Sequence, residues 1–164
     1  MAALAPNRPE DWLVTDEHSE LRRELRALSA ARGLVAAVAA VSIGELAIEP
    51  HPVAHTSHPT WGYLLRLAAA SAARAPEFCI FPAWAAGADL MFADAAGWNR
   101  PIRFARGAGG HMAALDVADQ ARQHRVARLV FAHIGRPSLR AIDAGDSLPF
   151  GEWGQPGRTY QLPS

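Results

Sequence analysis

An α/β layered domain is what this sequence predicts, on three observations. Short apolar runs with strand character alternate with stretches of helical character along the chain. Glycines and prolines fall where those stretches should begin or end, as at Gly33, Gly109-Gly110 and Pro137. No internal repeat or low-complexity linker divides the 164 residues, so one domain, 1–164, is expected.

In chain order, Trp12-Leu13-Val14-Thr15 reads as a short strand. Asp16 can cap a helix over Glu17 to Arg32, where Leu21, Leu25 and Leu28 share a face and Gly33 ends the run. Leu34 to Ile43 fits either a helix, for its alanines, or a buried strand, for its valines. Leu46 to His55 reads as extended and near a sheet edge, because Pro50 and Pro52 cannot serve a helix or a central ladder. A strand follows at Trp61 to Leu67, whereas Leu67 to Ala75 is rich in alanine and serine and suits a helix better. Pro82 to Ala86 can make a short helix, and Ala88 to Ala93 reads as a buried strand. Gly109-Gly110 lead into a helix from His111 to about His124. Leu129-Val130-Phe131-Ala132 is an apolar strand ending at His133, Ser138 to Ala144 a helix after Pro137, and Arg158 to Leu162 a final strand.

Composition narrows the function classes. Lys+Arg equals Asp+Glu at 16 each, so the formal net charge is zero and nothing in it argues for binding nucleic acid or a membrane. Every basic residue is arginine, and Arg100, Arg103 and Arg106 beside Trp98 and Phe104 read as a solvated strand face or loop, not as a nucleic-acid surface. Cys79 is the only cysteine, which excludes an internal disulfide and a thiolate zinc site. Pro6, Pro9, Glu10 and Asp11 interrupt any signal-peptide core, and the apolar run Leu34 to Val41 is too short to span a bilayer. A cytoplasmic protein is expected.

The chemistry-bearing residues are histidines and acids at element ends. His55 closes an extended run and His133 an apolar strand, and His111 follows two glycines at an expected helix start, where the dipole disfavours its protonated form. Glu77 and Asp94 are the acids nearest such strand ends. Neutral imidazoles with a carboxylate are a ligand set for a zinc-type ion. Taken singly, each is more often a hydrogen-bonded structural residue, a loop acid or a cap.

The order of segments from about Trp12 to Leu162 resembles the second part of the metallo-β-lactamase-fold hydrolases, particularly the tRNase Z-like and related branches. Val53-Ala54-His55-Thr56-Ser57-His58-Pro59-Thr60-Trp61-Gly62-Tyr63 resembles the segment in which a metal-binding His precedes a Gly-aromatic strand, with His55 in that place and His58 as the alternative. Arg74-Ala75-Pro76-Glu77-Phe78 stands where the family has Gly-Asp-Thr, putting Glu77 at the metal-bridging acid. Gly87 to Ala95 resembles the strand with His-Glu-Ala-Thr, Asp94 taking the Glu position. Gly110-His111-Met112-Ala113 resembles the segment whose His is a proton donor, and Leu129 to Ile134 the late strand whose Leu-Thr-His supplies the last ligand.

The resemblance implies a partial αββα sandwich lacking its first strands and the His-x-His-x-Asp-His loop, whose expected position falls before Met1. It implies one or two zinc or similar divalent ions on His55, Glu77 and His133, with His111 and Asp94 catalytic, and metal-bound hydroxide attacking a phosphodiester, lactone or related ester. The substrate itself is not readable. The second hypothesis is a non-catalytic interaction module or subunit. A sandwich without its first strands exposes a sheet edge and core surface, so a homo-oligomer or a partner chain is expected.

Overall fold

The computed structural model describes residues 38–55, 60–105 and 109–163, with Ala27 and Ala31 upstream, both helical. The strand expected at Trp12–Thr15, the rest of the helix over Glu17 to Arg32, His58 and Arg106 lie outside the described residues. Strands β1 (Val41–Ile43), β2 (Leu46–Val53), β3 (Thr60–Leu67) and β4 (Ala70–Ala75) come first, followed by a 3-10 turn at Ala83–Ala85 and β5 (Leu90–Ala95). Next are β6 (Ile102–Arg103), β7 (Gly110–His111), helix α1 (Ala114–Gln123), β8 (Leu129–Ile134), helix α2 (Arg136–Ala144) and β9 (Glu152–Trp153).

One mixed sheet runs in the order β1-β2-β3-β4-β5-β8-β9, and β6 and β7 form a separate hairpin pair. The first four strands are an antiparallel meander. From β4 onward the pairing is parallel, through β5 and β8 to β9. That change decides where side chains are delivered. β2, β4, β5 and β8 all run in one direction, so their C-terminal ends share one edge, the place where open α/β sheets bind ligands.

The core follows from strand alternation. Leu64 pairs with Ala73, Ala73 with Met91 and Met91 with Leu129, forming one buried row across four strands. Onto that face α1 presents Ala114, Val117, Ala118 and Ala121, a buried stripe at helical spacing. Small residues here let the helix approach closely, and Phe78 and Phe131 fill the remaining volume without any solvent exposure.

Several sequence expectations are corrected. The alanine-rich stretch suited to a helix is instead β4, because its backbone is claimed by ladders on both sides and its alanines are the side chains that fit beneath α1. Of Leu34 to Ile43, the strand alternative holds for Val41–Ile43. His111 lies not on a helix start but in β7, three residues before α1, so the dipole argument made for it falls. Residues Arg158 to Leu162 form no strand; the late strand is Glu152–Trp153. Pro50 and Pro52 do sit in a paired strand, but β1 reaches only Ile48, leaving the outer side of that half of β2 open among the described residues. No described helix is long and apolar enough to cross a membrane.

The C-terminal segment is tied down by charge and stacking. Glu152 accepts from Arg128 at 2.7 Å and from Arg158 at 2.9 Å, and both guanidinium groups lie 5.1 Å from the centre of the Tyr160 ring. Tyr160 meets Phe92 edge-on at 5.4 Å, on the sheet face away from α1.

Candidate metal and acid–base site

Glu77 follows the end of β4 by two residues, Asp94 is the residue before the last of β5, and His133 the residue before the last of β8. His55 follows β2 by two residues, and His111 arrives from the β6–β7 hairpin. All five residues singled out in the sequence therefore come together at one edge of the sheet.

Asp94 is the floor. It is completely buried, and its Oδ2 accepts from the Phe78 N–H at 3.2 Å while its Oδ1 accepts from the Ala96 N–H at 2.9 Å. His111 Nδ1 lies 2.7 Å from Asp94 Oδ2. A carboxylate in that position accepts, which fixes the proton on Nδ1 and leaves Nε2 facing outward. His133 Nδ1 is 3.4 Å from Asp94 Oδ1.

Glu77 closes the upper side. Its two oxygens lie 3.4 Å from His55 Nε2 and 3.6 Å from His133 Nε2. Glu77 and His133 are partly open to solvent, at 40% and 42% side-chain exposure, so the site grades from a dry floor to a wet mouth. Phe104 packs edge-on against His55 and His111, with ring centres 5.6 and 5.5 Å away, and both imidazoles are nearly buried.

Local backbone devices place these groups. The β5–β8 register slips between Asp94, which faces Ala132, and Ala95, which faces Ile134; His133 is the residue in excess. It takes φ 47°, a left-handed conformation that costs a side-chain-bearing residue energy, and the bulge turns its imidazole toward Asp94. His55 is held to the hairpin by two bonds, Gly110 N to His55 O at 2.8 Å and His55 Nδ1 to Gly110 O at 3.1 Å. Gly110 is required there: a Cβ would meet Ile102 O at 1.9 Å.

The donor set fits a divalent ion. Asp94, His111 and His133 offer ligand atoms that all lie within 4.8 Å of one another. The Glu77 contacts fit as well, because two ligands about 2.05 Å from one tetrahedral ion stand roughly 3.3 Å apart. His133 belongs to both groupings. The cluster found by proximity thus pairs His133 with Asp94 and His111, where the sequence had grouped it with His55 and Glu77.

No family model and no curated protein sequence matches the chain. Solved structures do. A metallo-β-lactamase fold protein from Bacillus subtilis, YhfI, superposes over 70% of this chain and 48% of its own length, with a TM-score of 0.50 and 14% identity. A diphosphatase of the PhnP family superposes over 88% of this chain and 57% of its own, with a TM-score of 0.55 and 18% identity. The chain carries part of a metallo-β-lactamase fold. It spans about half the length of those two structures.

Within that fold, sequence reasoning overlooked three residues beside the cluster. Arg74, Trp61 and Tyr63 line or flank the groove next to Glu77. Arg74 was hidden in an alanine-rich stretch read as helical, and only its cross-strand pairing with Tyr63 reveals the face it occupies.

Proposed function

We propose that the chain carries the later half of the active site of a metal-dependent hydrolase acting on a phosphodiester, lactone or related ester. His55, Glu77 and His133 are the ligands of a zinc-type ion, and Asp94 with His111 is the proton-transfer pair. The observation that carries the reading is the Glu77 carboxylate set between His55 Nε2 and His133 Nε2 at 3.4 and 3.6 Å, above a buried Asp94–His111 hydrogen bond of 2.7 Å. When bound, such an ion polarises an ester oxygen and makes water acidic enough to attack near neutral pH.

The chain's own residues do the rest. Asp94, anchored by the N–H groups of Phe78 and Ala96, holds the His111 ring in one tautomer and orientation. Its Nε2, once protonated, can pass a proton to the leaving oxygen. Phe104 packs edge-on against that ring, which is nearly buried. That one solved neighbour is named a diphosphatase supports hydrolysis as the reaction class.

Metal content after reconstitution tests the reading and separates the two groupings. Zinc near one equivalent is expected for the wild-type chain, lost in Glu77→Gln and kept in Asp94→Asn. Loss in Asp94→Asn but not in Glu77→Gln would move the ion to the Asp94, His111 and His133 group. Zinc at background would overturn the proposal and leave the second one, a non-catalytic subunit.

A further inference from the structure

Beside the cluster opens a groove of about 520 Å³ lined by Arg74, Pro76, Glu77, Phe92, Ala132 and His133. A narrower cleft of about 110 Å³ shares Arg74, Pro76 and Glu77 with it and runs on past Thr60 and Trp61. Arg74 therefore stands where the two meet. It is opposite Tyr63 on β3 and beside Phe92 on β5, so strand alternation turns it away from the α1 face, where Ala73 and Ala75 are buried.

Among the described residues, no carboxylate lies within ion-pair distance of the Arg74 guanidinium. Glu77, the nearest acid along the chain, is turned to His55 and His133 instead. Two neighbouring groups on this side of β3 also lack partners: Trp61 Nε1 and Tyr63 Oη are both buried without a hydrogen bond. Buried polar groups are nearly always satisfied, so an orphan calls for a partner that arrives from outside. Three groups able to donate thus stand at adjoining positions of one sheet face, and neither Trp61 Nε1 nor Tyr63 Oη is bonded to another of them.

We propose that Arg74, supported by Trp61 and Tyr63, forms an oxyanion subsite next to His133, and that the ester taken by the site carries a negatively charged phosphate or carboxylate group. This rests on the hydrolase reading for the word ester, but not for the subsite. A guanidinium presents a planar fork of donors matched to two oxygens of one oxyanion. The Glu77 carboxylate, which lines the same groove, repels an anion. A charged substrate is thereby oriented, its anion at Arg74 and its scissile bond toward His133, whereas a neutral lactone finds no anchor.

The test is a titration of the metal-free 164-residue chain with phenyl phosphate, benzoate and phenol, followed by nuclear magnetic resonance shifts or calorimetry. At least one anion should bind more tightly than phenol, and comparing the two says which oxyanion the subsite prefers. Arg74→Ala should weaken that anion about tenfold while leaving phenol unchanged, and Arg74→Lys should restore part of the loss. Trp61→Phe, which keeps the apolar bulk and removes the N–H, should weaken it about threefold. Anion binding no better than phenol, or equal in wild type and Arg74→Ala, overturns the subsite. No metal is present in this titration, so a chain that binds no zinc would fail the hydrolase reading while this result stood on its own.

Discussion

At the scale of single residues, His133 shows how function and stability pull apart. Its left-handed backbone serves the placement of the imidazole and costs about 1 kcal/mol relative to glycine. His133→Gly is therefore expected to be more stable than His133→Ala by about that amount in urea unfolding, while both lose bound metal. Asp94 answers to a different constraint. Asp94→Asn keeps the shape but places an amide N–H₂ among the donors Phe78 N–H, Ala96 N–H and His111 Nδ1–H, so unfolding should show a loss of about 1–3 kcal/mol. Tyr63 sets a pH response. Burial raises its phenol above the ordinary 10.0, with Arg74 pulling it back down. A raised folded value contributes stability that is complete below the unfolded value and fades as pH rises through the folded one. Tyr63→Phe should remove that alkaline loss, read as a smaller drop in unfolding free energy between about pH 9 and about pH 11.

At the scale of elements, the junction between β8 and α2 is the sensitive point. A Cβ on Gly135 would meet Ala96 O at 2.3 Å and Ala96 Cα at 2.8 Å, both backbone atoms that cannot swing aside. Gly135→Ala should cost about 1–3 kcal/mol and, by pushing β8 from β5, weaken metal binding more than a surface change of equal cost. The same elements explain what could be read from the chain. β3, β5 and β8 were legible because runs such as Leu129 to Phe131 announce buried strands, and Asp94 and His133 because they stand at the ends of two of them; His55 closes the extended run of β2, His111 was marked by its two glycines, and Glu77 by the family resemblance. β4 was not, since alanine carries its own helical preference and only the neighbouring strands and α1 reveal why small side chains are needed. Which site residue faces which was hidden for a related reason: the bulge at His133 and the hairpin that returns His111 are properties of strand pairing, absent from any local window.

At the scale of the molecule, the described sheet is left with an open side along β2 beyond Ile48 and with exposed Leu67, Ile80 and Leu139. We propose that a second copy or a partner chain covers such surface, and light scattering should then give a mass above that of the single 17.6 kDa chain; a clean monomer would count against it. The switch at β4 from antiparallel to parallel pairing carries a further consequence, one of time. The hairpins β1–β2 and β3–β4 close through turns at Gly44-Glu45 and Ala68-Ala69, whereas β5, β8 and β9 join only after long crossovers, so their contacts must wait on costly loop closure. Refolding should form the meander early and the parallel half late. The metal-type cluster, which needs β5 and β8, would come into being only with that late half.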